Sequence, residues 1–197
     1  AISLFKYFGT KHRFGFGKAG ADIPSEQGIV PRHEEYSGSS MGNLPIGQGL
    51  SVTPLQMISG YAAIANGGVI REPSLLLDKT QGPRPGRRIL TEKTAAGLSE
   101  MLEGVFAPGG TAASVSVPGY SLAGKTGTAE KVVDGVYSET DFVASFIGFA
   151  PAKRPRLVVA VVVDEPAGGV YSGSEVAAPA FGQIMSFALP ELGVEQR

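Results

Sequence analysis

The stretch Gly119-Tyr-Ser-Leu-Ala-Gly-Lys-Thr-Gly-Thr128 decides how this chain folds. Gly119 to Thr126 fits the phosphate-loop pattern G-x-x-x-x-G-K-[ST], in which Lys125 would reach a nucleotide phosphate. Two other segments suit that reading. Ala113 to Val117 has the residues of a short strand, and the apolar run from Leu157 ends in Asp164, where a magnesium-binding carboxylate would sit. A phosphate loop, however, needs a helix starting at its lysine, because the amides of that helix's first turn hold the phosphates. Here Lys125 is followed by Thr126-Gly127-Thr128, three poor helix formers, and glycine alone costs about 1 kcal/mol relative to alanine. Asp134-Gly135, a hairpin-turn dipeptide, follows within ten positions. The residues between the two glycines, Tyr-Ser-Leu-Ala, include no further glycine to let backbone amides converge. A crossover to a parallel strand needs about a dozen residues, and the hairpin leaves too few. The segment is therefore predicted to be a strand. Lys125, Gly127 and Ala129 then face one way, and Thr126, Thr128 and Glu130 the other.

That geometry gives each residue a use. Gly127 lacks a Cβ, so another chain can approach the backbone closely. An ammonium and two threonine hydroxyls at an open edge can bind a carboxylate, and the edge can pair with a peptide by strand addition. The tetrapeptide alone is equally compatible with a strand facing water.

Outward from this segment, the chain alternates structure and punctuation. Ile2, Phe5 and Phe8 recur at helical spacing and predict the end of an amphipathic helix stopped by Gly9. Residues 10–52 are rich in Gly, Pro and Ser and read as a long packed loop, functional or purely structural. Within it Gln48-Gly49 reads as a structural turn. Thr53-Pro54 starts a helix, since threonine caps free amides and proline fits the first helical position. Leu55, Ile58, Ala62 and Ala65 would form its apolar stripe, with Tyr61 beside it, and Asn66-Gly67-Gly68 would end it. Residues 78–90 read as a solvated loop. Thr91 caps a second helix to about Phe106, burying Ala95, Leu98, Met101 or Leu102, and Val105; Pro108-Gly109-Gly110 closes it. Strand signals then take over: a hairpin through Asp134-Gly135, an apolar segment from Phe142 to Phe149, and a buried strand from Leu157 to Val163. Ser174 to Leu189 returns to helical spacing, with Val176, Ala177, Ala180, Phe181, Ile184, Met185 and Ala188 apolar and Pro179 in its first turns. Helices, three consecutive strands and a terminal helix predict an α+β fold, an antiparallel sheet packed with helices.

Composition narrows the function. The chain is 43% hydrophobic and 18% charged with a net charge of −1, which gives no basic run for nucleic acid. It has no cysteine, hence no disulfide or thiolate site, and its two histidines, His12 and His33, stand outside any metal-ligand spacing. No apolar run approaches the roughly 20 residues of a membrane span.

KTGT is also the lysine motif of enzymes that acylate a serine with penicillin-like substrates. The longer pattern resembles the C-terminal part of the transpeptidase domain of class B penicillin-binding proteins. The resemblance runs through FGFGKAGADIPSEQGIVP, LPIGQGLSVTPLQMISGYAAIANGGVIREP, GVFAPGGTA, AGKTGTAEKV, ASFIGFAPAKRPRLVVAVVVDEP and GSEVAAPAFGQIM. It implies a penicillin-binding-protein/β-lactamase-like fold, incomplete at its N-terminal side, with residues 1–197 a portion of one domain. It implies a serine D,D-transpeptidase that cross-links peptidoglycan stem peptides ending in D-Ala-D-Ala, binds β-lactams and uses no cofactor. The site residues carried over are Lys125, Thr126, Gly127 and Thr128. Lys125 would supply positive potential for the substrate carboxylate and Thr126 and Thr128 would hydrogen-bond it. The Thr128 amide would be one oxyanion donor and its carbonyl would accept the stem-peptide amide. The loop Gly169 to Gly173 either borders the cleft or is a plain loop.

The family's other two motifs, S-x-x-K and S-x-N, both read as absent from the chain, and the resemblance implies that they lie upstream of Ala1. Ser37-Gly38-Ser39 has the wrong third residue for S-x-N. The expectation is a fragment without the nucleophile and inactive alone, unless a separate chain supplies the serine. The complete protein would be extracytoplasmic, anchored by an N-terminal helix and partnered by cell-wall synthesis proteins. Two alternatives stay open: a β-lactamase or β-lactam sensor of the same fold, and a non-catalytic scaffold subunit of a cell-wall complex.

Overall fold

In the computed structural model the described residues are 13–18, 23, 25–38, 40–44, 47–74 and 84–196, the side chains of His33 and Met41 excepted. The helix expected at residues 1–8, its stop at Gly9, and His12 lie outside them, as do residues 78–83 of the loop expected at 78–90.

Asp134 (φ 51°) and Gly135 (φ 82°) make the tight turn that the sequence predicts, and it organises the main sheet. On either side run β3 (Ala123–Val133) and β4 (Val136–Ala150), and β5 (Leu157–Asp164) follows. All pair antiparallel in the order β3-β4-β5. Ala123–Val133 is thus a ribbon from end to end, and the phosphate-loop reading of Lys125 fails: no helix begins there. The possible strand at Ala113–Val117 reduces to one bridge between Val117 and Tyr120.

A short helical turn, α1 (Ser40–Asn43), precedes α2 (Pro54–Ala65). Thr53 caps α2 as expected: its Oγ1 accepts from the Gln56 N–H, and the Gln56 Oε1 accepts from the Thr53 N–H. The buried face of α2 corrects the predicted stripe. Leu55, Ile58, Ala62 and Ala65 are only half-buried, whereas Gln56, Gly60, Tyr61, Ala63 and Ile64 are buried. The reason is a polar anchor that hydropathy does not weigh. Gln56 Nε2 donates to the carbonyls of Lys18 and Gln27, both at 3.0 Å, and so turns its own side of the helix inward. Phe14 fits over the missing side chain of Gly60.

Part of the predicted 78–90 loop is a strand. β1 (Val69–Arg71) pairs with β2 (Gly86–Arg88), so three glycine and arginine residues that read as solvated loop close a small hairpin. Thr91 caps α3 (Glu92–Glu103), whose buried residues are Ala95, Leu98 and Leu102; Met101 is exposed. The turn Gly104–Phe106 is 3-10, which ends the α-helix sooner than expected.

The sheet is covered on both faces. Phe149, Ile147 and Ala123 join Tyr61, Ile64, Leu98 and Leu102 of α2 and α3. On the other face Phe146 and Ala150 join Phe181, Met185 and Leu189 of α4 (Ala177–Glu191). Helix α4 starts three residues later than expected and buries 177, 178, 181, 182, 185 and 189; Ile184, expected inside, is 42% exposed. β5 is half-buried, not buried, because it is the far edge of the three strands. Its residues alternate between the two cores, Val158 and Ala160 to one and Leu157, Val159 and Val161 to the other.

Candidate active site

The four candidate residues lie on β3, which has β4 on one side and no other described strand on the other. On such an edge every second residue turns its N–H and C=O away from the ladder. Main-chain donors and acceptors therefore face anything lying alongside. The register sets Lys125 opposite Ile147, Thr126 opposite Phe146, Gly127 opposite Ser145 and Thr128 opposite Ala144. Lys125 and Gly127 share one face; Thr126 and Thr128 share the other, as the strand reading predicts.

Alternation separates Lys125 from Thr126, yet their polar ends meet. Lys125 Nζ donates to the Thr126 carbonyl at 2.9 Å and to Thr126 Oγ1 at 3.0 Å. The long lysine stem reaches its neighbour's polar atoms on the strand that has no second described strand beside it. Burial pushes the Lys125 pKa below the ordinary lysine value, because half-burial disfavours the charged form. An anion placed beside it would recover that lost solvation.

Thr128 Oγ1 accepts from the Gly173 N–H at 3.0 Å. A Cβ on Gly173 would lie 2.4 Å from the Gly127 carbonyl oxygen and 2.5 Å from that of Ser145, so only glycine lets the chain rest on the sheet here. The loop left open in the sequence thus touches the KTGT segment at Gly173. Two residues earlier, Tyr171 stacks on Phe142 of β4 with centroids 4.1 Å apart. Ser145 Oγ lies near the Gly127 carbonyl at 3.5 Å, and a Cβ on Gly127 would meet that oxygen at 2.5 Å.

A groove of about 810 Å³ runs past Thr128, with Ala129 and Glu130 on one wall and Gly47 to Ser51 on the other. Gly47 (φ 92°) and Gly49 (φ 79°) do form the turn read from Gln48-Gly49. That turn also walls the groove, which the sequence reading missed. No local signal announces it, because the wall is created when Ile29 and Ser51 pair and fold the loop back. Thr111 was also missed: its Oγ1 is 3.1 Å from Thr126 Oγ1, across 15 residues of sequence. A second cavity of about 740 Å³, near Lys18, Arg71 and Arg87, includes none of the four candidate residues in its lining.

Among the described residues no group of three or more His, Asp or Glu could hold a metal ion. Among them too, no helix is long and apolar enough to cross a membrane. The nucleophile motif is not wholly absent, against the expectation from the sequence. Ser3-Leu4-Phe5-Lys6 has the S-x-x-K spacing, so the pattern does occur once in the chain. It lies outside the described residues, and no S-x-N accompanies it anywhere in the sequence.

The penicillin-binding protein transpeptidase domain family matches residues 2–186. Stage V sporulation protein D of Bacillus subtilis is 42% identical over 206 aligned positions, covering 98% of this chain and 31% of that protein. Peptidoglycan D,D-transpeptidase FtsI of Escherichia coli K12 is 38% identical over 189 positions, covering 94% of this chain and 32% of that one. The chain thus spans about a third of the length of these relatives. Among solved structures, the transpeptidase domain of penicillin-binding protein 3 from Burkholderia pseudomallei superposes with a TM-score of 0.86 at 33% identity, covering 96% of this chain and 58% of that one. Penicillin-binding protein 3 from Mycobacterium tuberculosis, complexed with ampicillin, gives 0.85 at 34%, covering 96% and 46%. With the same helices over the same antiparallel sheet, and with sequence identity along nearly its whole length, the chain belongs to the penicillin-binding protein transpeptidase domain family.

Proposed function

We propose that these residues form the carboxylate-binding wall of a peptidoglycan D,D-transpeptidase site and are a C-terminal portion of that one domain. The observation that carries the proposal is the meeting of Lys125 Nζ and Thr126 Oγ1 on β3, the strand whose Thr128 borders a groove. A stem peptide ending in D-Ala-D-Ala would lie along this edge. Its terminal carboxylate would take the ammonium and the hydroxyls of Thr126 and Thr128. Gly127 leaves the backbone approachable, and the Thr128 carbonyl would accept an amide of the peptide. The Thr128 amide would stabilise the oxyanion that forms when a serine hydroxyl attacks the penultimate D-Ala carbonyl. D-Ala then leaves, and an amine of a second stem resolves the acyl-enzyme. β-Lactams would occupy the same wall through their own carboxylate, as suits a relative of an ampicillin-binding protein.

The serine is proposed to come from residues outside these 197, since S-x-N is absent and Ser3-x-x-Lys6 stands without it. The site would lie outside the cytoplasm, on a membrane-anchored protein working with other cell-wall synthesis proteins, as suits this reaction class. No cofactor is needed by this chemistry.

Fluorescent penicillin labelling of a complete protein carrying this segment tests the reading. Labelling is expected, and Lys125→Ala is expected to slow acylation at least tenfold, from loss of a charge-assisted contact of about 1.5–3 kcal/mol. No labelling at all would favour a scaffold; fast release of the label would favour a β-lactamase; unchanged kinetics in the alanine variant would reject the role of Lys125. Peptide mapping of the labelled serine settles its origin, since acylation of Ser3 would place the nucleophile inside the chain.

A further inference from the structure

We infer that Thr111 is a positioning residue, a hydroxyl that orients the Thr126 proton toward the bound carboxylate. The inference rests on the proposed carboxylate-binding role of Thr126.

The supply of protons at Thr126 Oγ1 decides what it can give a ligand. A threonine hydroxyl has one proton to give and two lone pairs to accept with. Thr126 Oγ1 already accepts from Lys125 Nζ, because an ammonium can only donate. Its contact with Thr111 Oγ1 at 3.1 Å can run either way. If Thr126 donates to Thr111, its only proton points away from any ligand, and an anion would meet an oxygen lone pair. If Thr111 donates, both lone pairs of Thr126 are filled, and its proton is left for the ligand. Carboxylate binding requires the second state. The Thr111 hydroxyl therefore does for Thr126 what the Gly173 N–H does for Thr128 Oγ1: each fills an acceptor site and frees a proton.

The loop that carries Thr111 is built to hold it there. The Gly110 N–H donates to the Ala107 carbonyl at 2.8 Å, and the Ala112 N–H donates to the Val105 carbonyl at 2.9 Å. A Cβ on Gly110 would lie 2.3 Å from the Val105 carbonyl oxygen, so glycine is required for the tight return. Ala112 is buried in the core beneath α4. Thr111 itself is exposed between these two pinned residues, so packing does not explain why a hydroxyl stands at this point.

The test uses a complete transpeptidase containing this segment and two ligands, benzylpenicillin and its methyl ester. Thr111→Val keeps the shape and removes the hydroxyl. It is expected to weaken the acylation efficiency with benzylpenicillin about tenfold, through the binding constant and not the limiting rate, as for loss of support to a charge-assisted hydrogen bond. The methyl ester, which presents no anion, should change less than about twofold, and Thr111→Ser should restore the wild-type value. The inference is overturned if valine leaves benzylpenicillin unaffected. It is equally overturned if both ligands fall together, or if serine fails to rescue at an unchanged melting temperature. A wild-type protein that penicillin does not label sinks the proposed function, and this inference with it. Labelled wild type with an insensitive Thr111→Val sinks only the inference.

Discussion

The two halves of β3 belong to one strand and are physically different in the fold. Residues 123–128 begin buried: Ala123 and Gly124 lie between two cores, and a Cβ on Gly124 would meet the Phe146 ring at 2.6 Å. Residues 129–133 run out past both cores. There the register shifts between Glu130 and Val132, and Val132, Val133, Val136 and Tyr137 are exposed. What steadies the distal half is polar: Lys131 Nζ contacts Asp164 at 3.0 Å and Glu165 at 2.6 Å. KTGT occupies the boundary. Its first residues inherit the rigidity of the packed end, and its polar groups inherit the access of the free end. A binding strand needs both, since a displaced donor loses its geometry and a buried one cannot meet a ligand.

Breaking the packed half should have the largest effect. Phe146 is fully buried, with Phe181 at 4.7 Å and Phe106 at 5.7 Å. Phe146→Ala is expected to cost about 3–5 kcal/mol in a denaturant titration, as for other phenylalanines removed from cores. A loss under about 1 kcal/mol would mean that the strand is not held from this face. Gly173→Ala comes next. The new Cβ must displace the loop from the sheet, a strain of about 1–3 kcal/mol, and it should pull the N–H away from Thr128. Penicillin acylation of the complete protein should fall with it; full activity would show that Thr128 needs no such support.

The smallest effect belongs to the free half. The side-chain hydrogen bonds to Glu165 and Asp164 raise the pKa of Lys131, and the pair is solvent-screened. A raised folded pKa contributes stability that is complete below the ordinary lysine value of about 10.4 and is lost as pH rises through the raised value. The melting-temperature difference between wild type and Lys131→Met should thus be constant through neutral pH. It should disappear only in strong alkali, and shrink in high salt. A difference that grew with pH would contradict the sign.

Local chemistry made much of this legible before any fold was known. Thr53-Pro54 and Thr91 mark helix starts because a cap needs only its next three residues. Asp134-Gly135 marks the hairpin because its backbone preference is local. The strand at Lys125 follows from three poor helix formers and a nearby turn. Faces were harder. The buried side of α2 is set by Gln56 reaching carbonyls 29 and 38 residues away, and hydropathy points to the other side. β1 and β2 escaped notice because Gly86-Arg87-Arg88 has no strand signal apart from its partner.

By itself the sequence determined the starts of α2 and α3, the hairpin turn and the candidate strand, all of which depend on interactions between near neighbours. Only the tertiary structure decided what surrounds that strand: Gly173 on Thr128, Thr111 on Thr126 and the Gly47–Ser51 turn across the groove. Those contacts span 45, 15 and about 80 residues, and chain entropy hides such pairings from any local window.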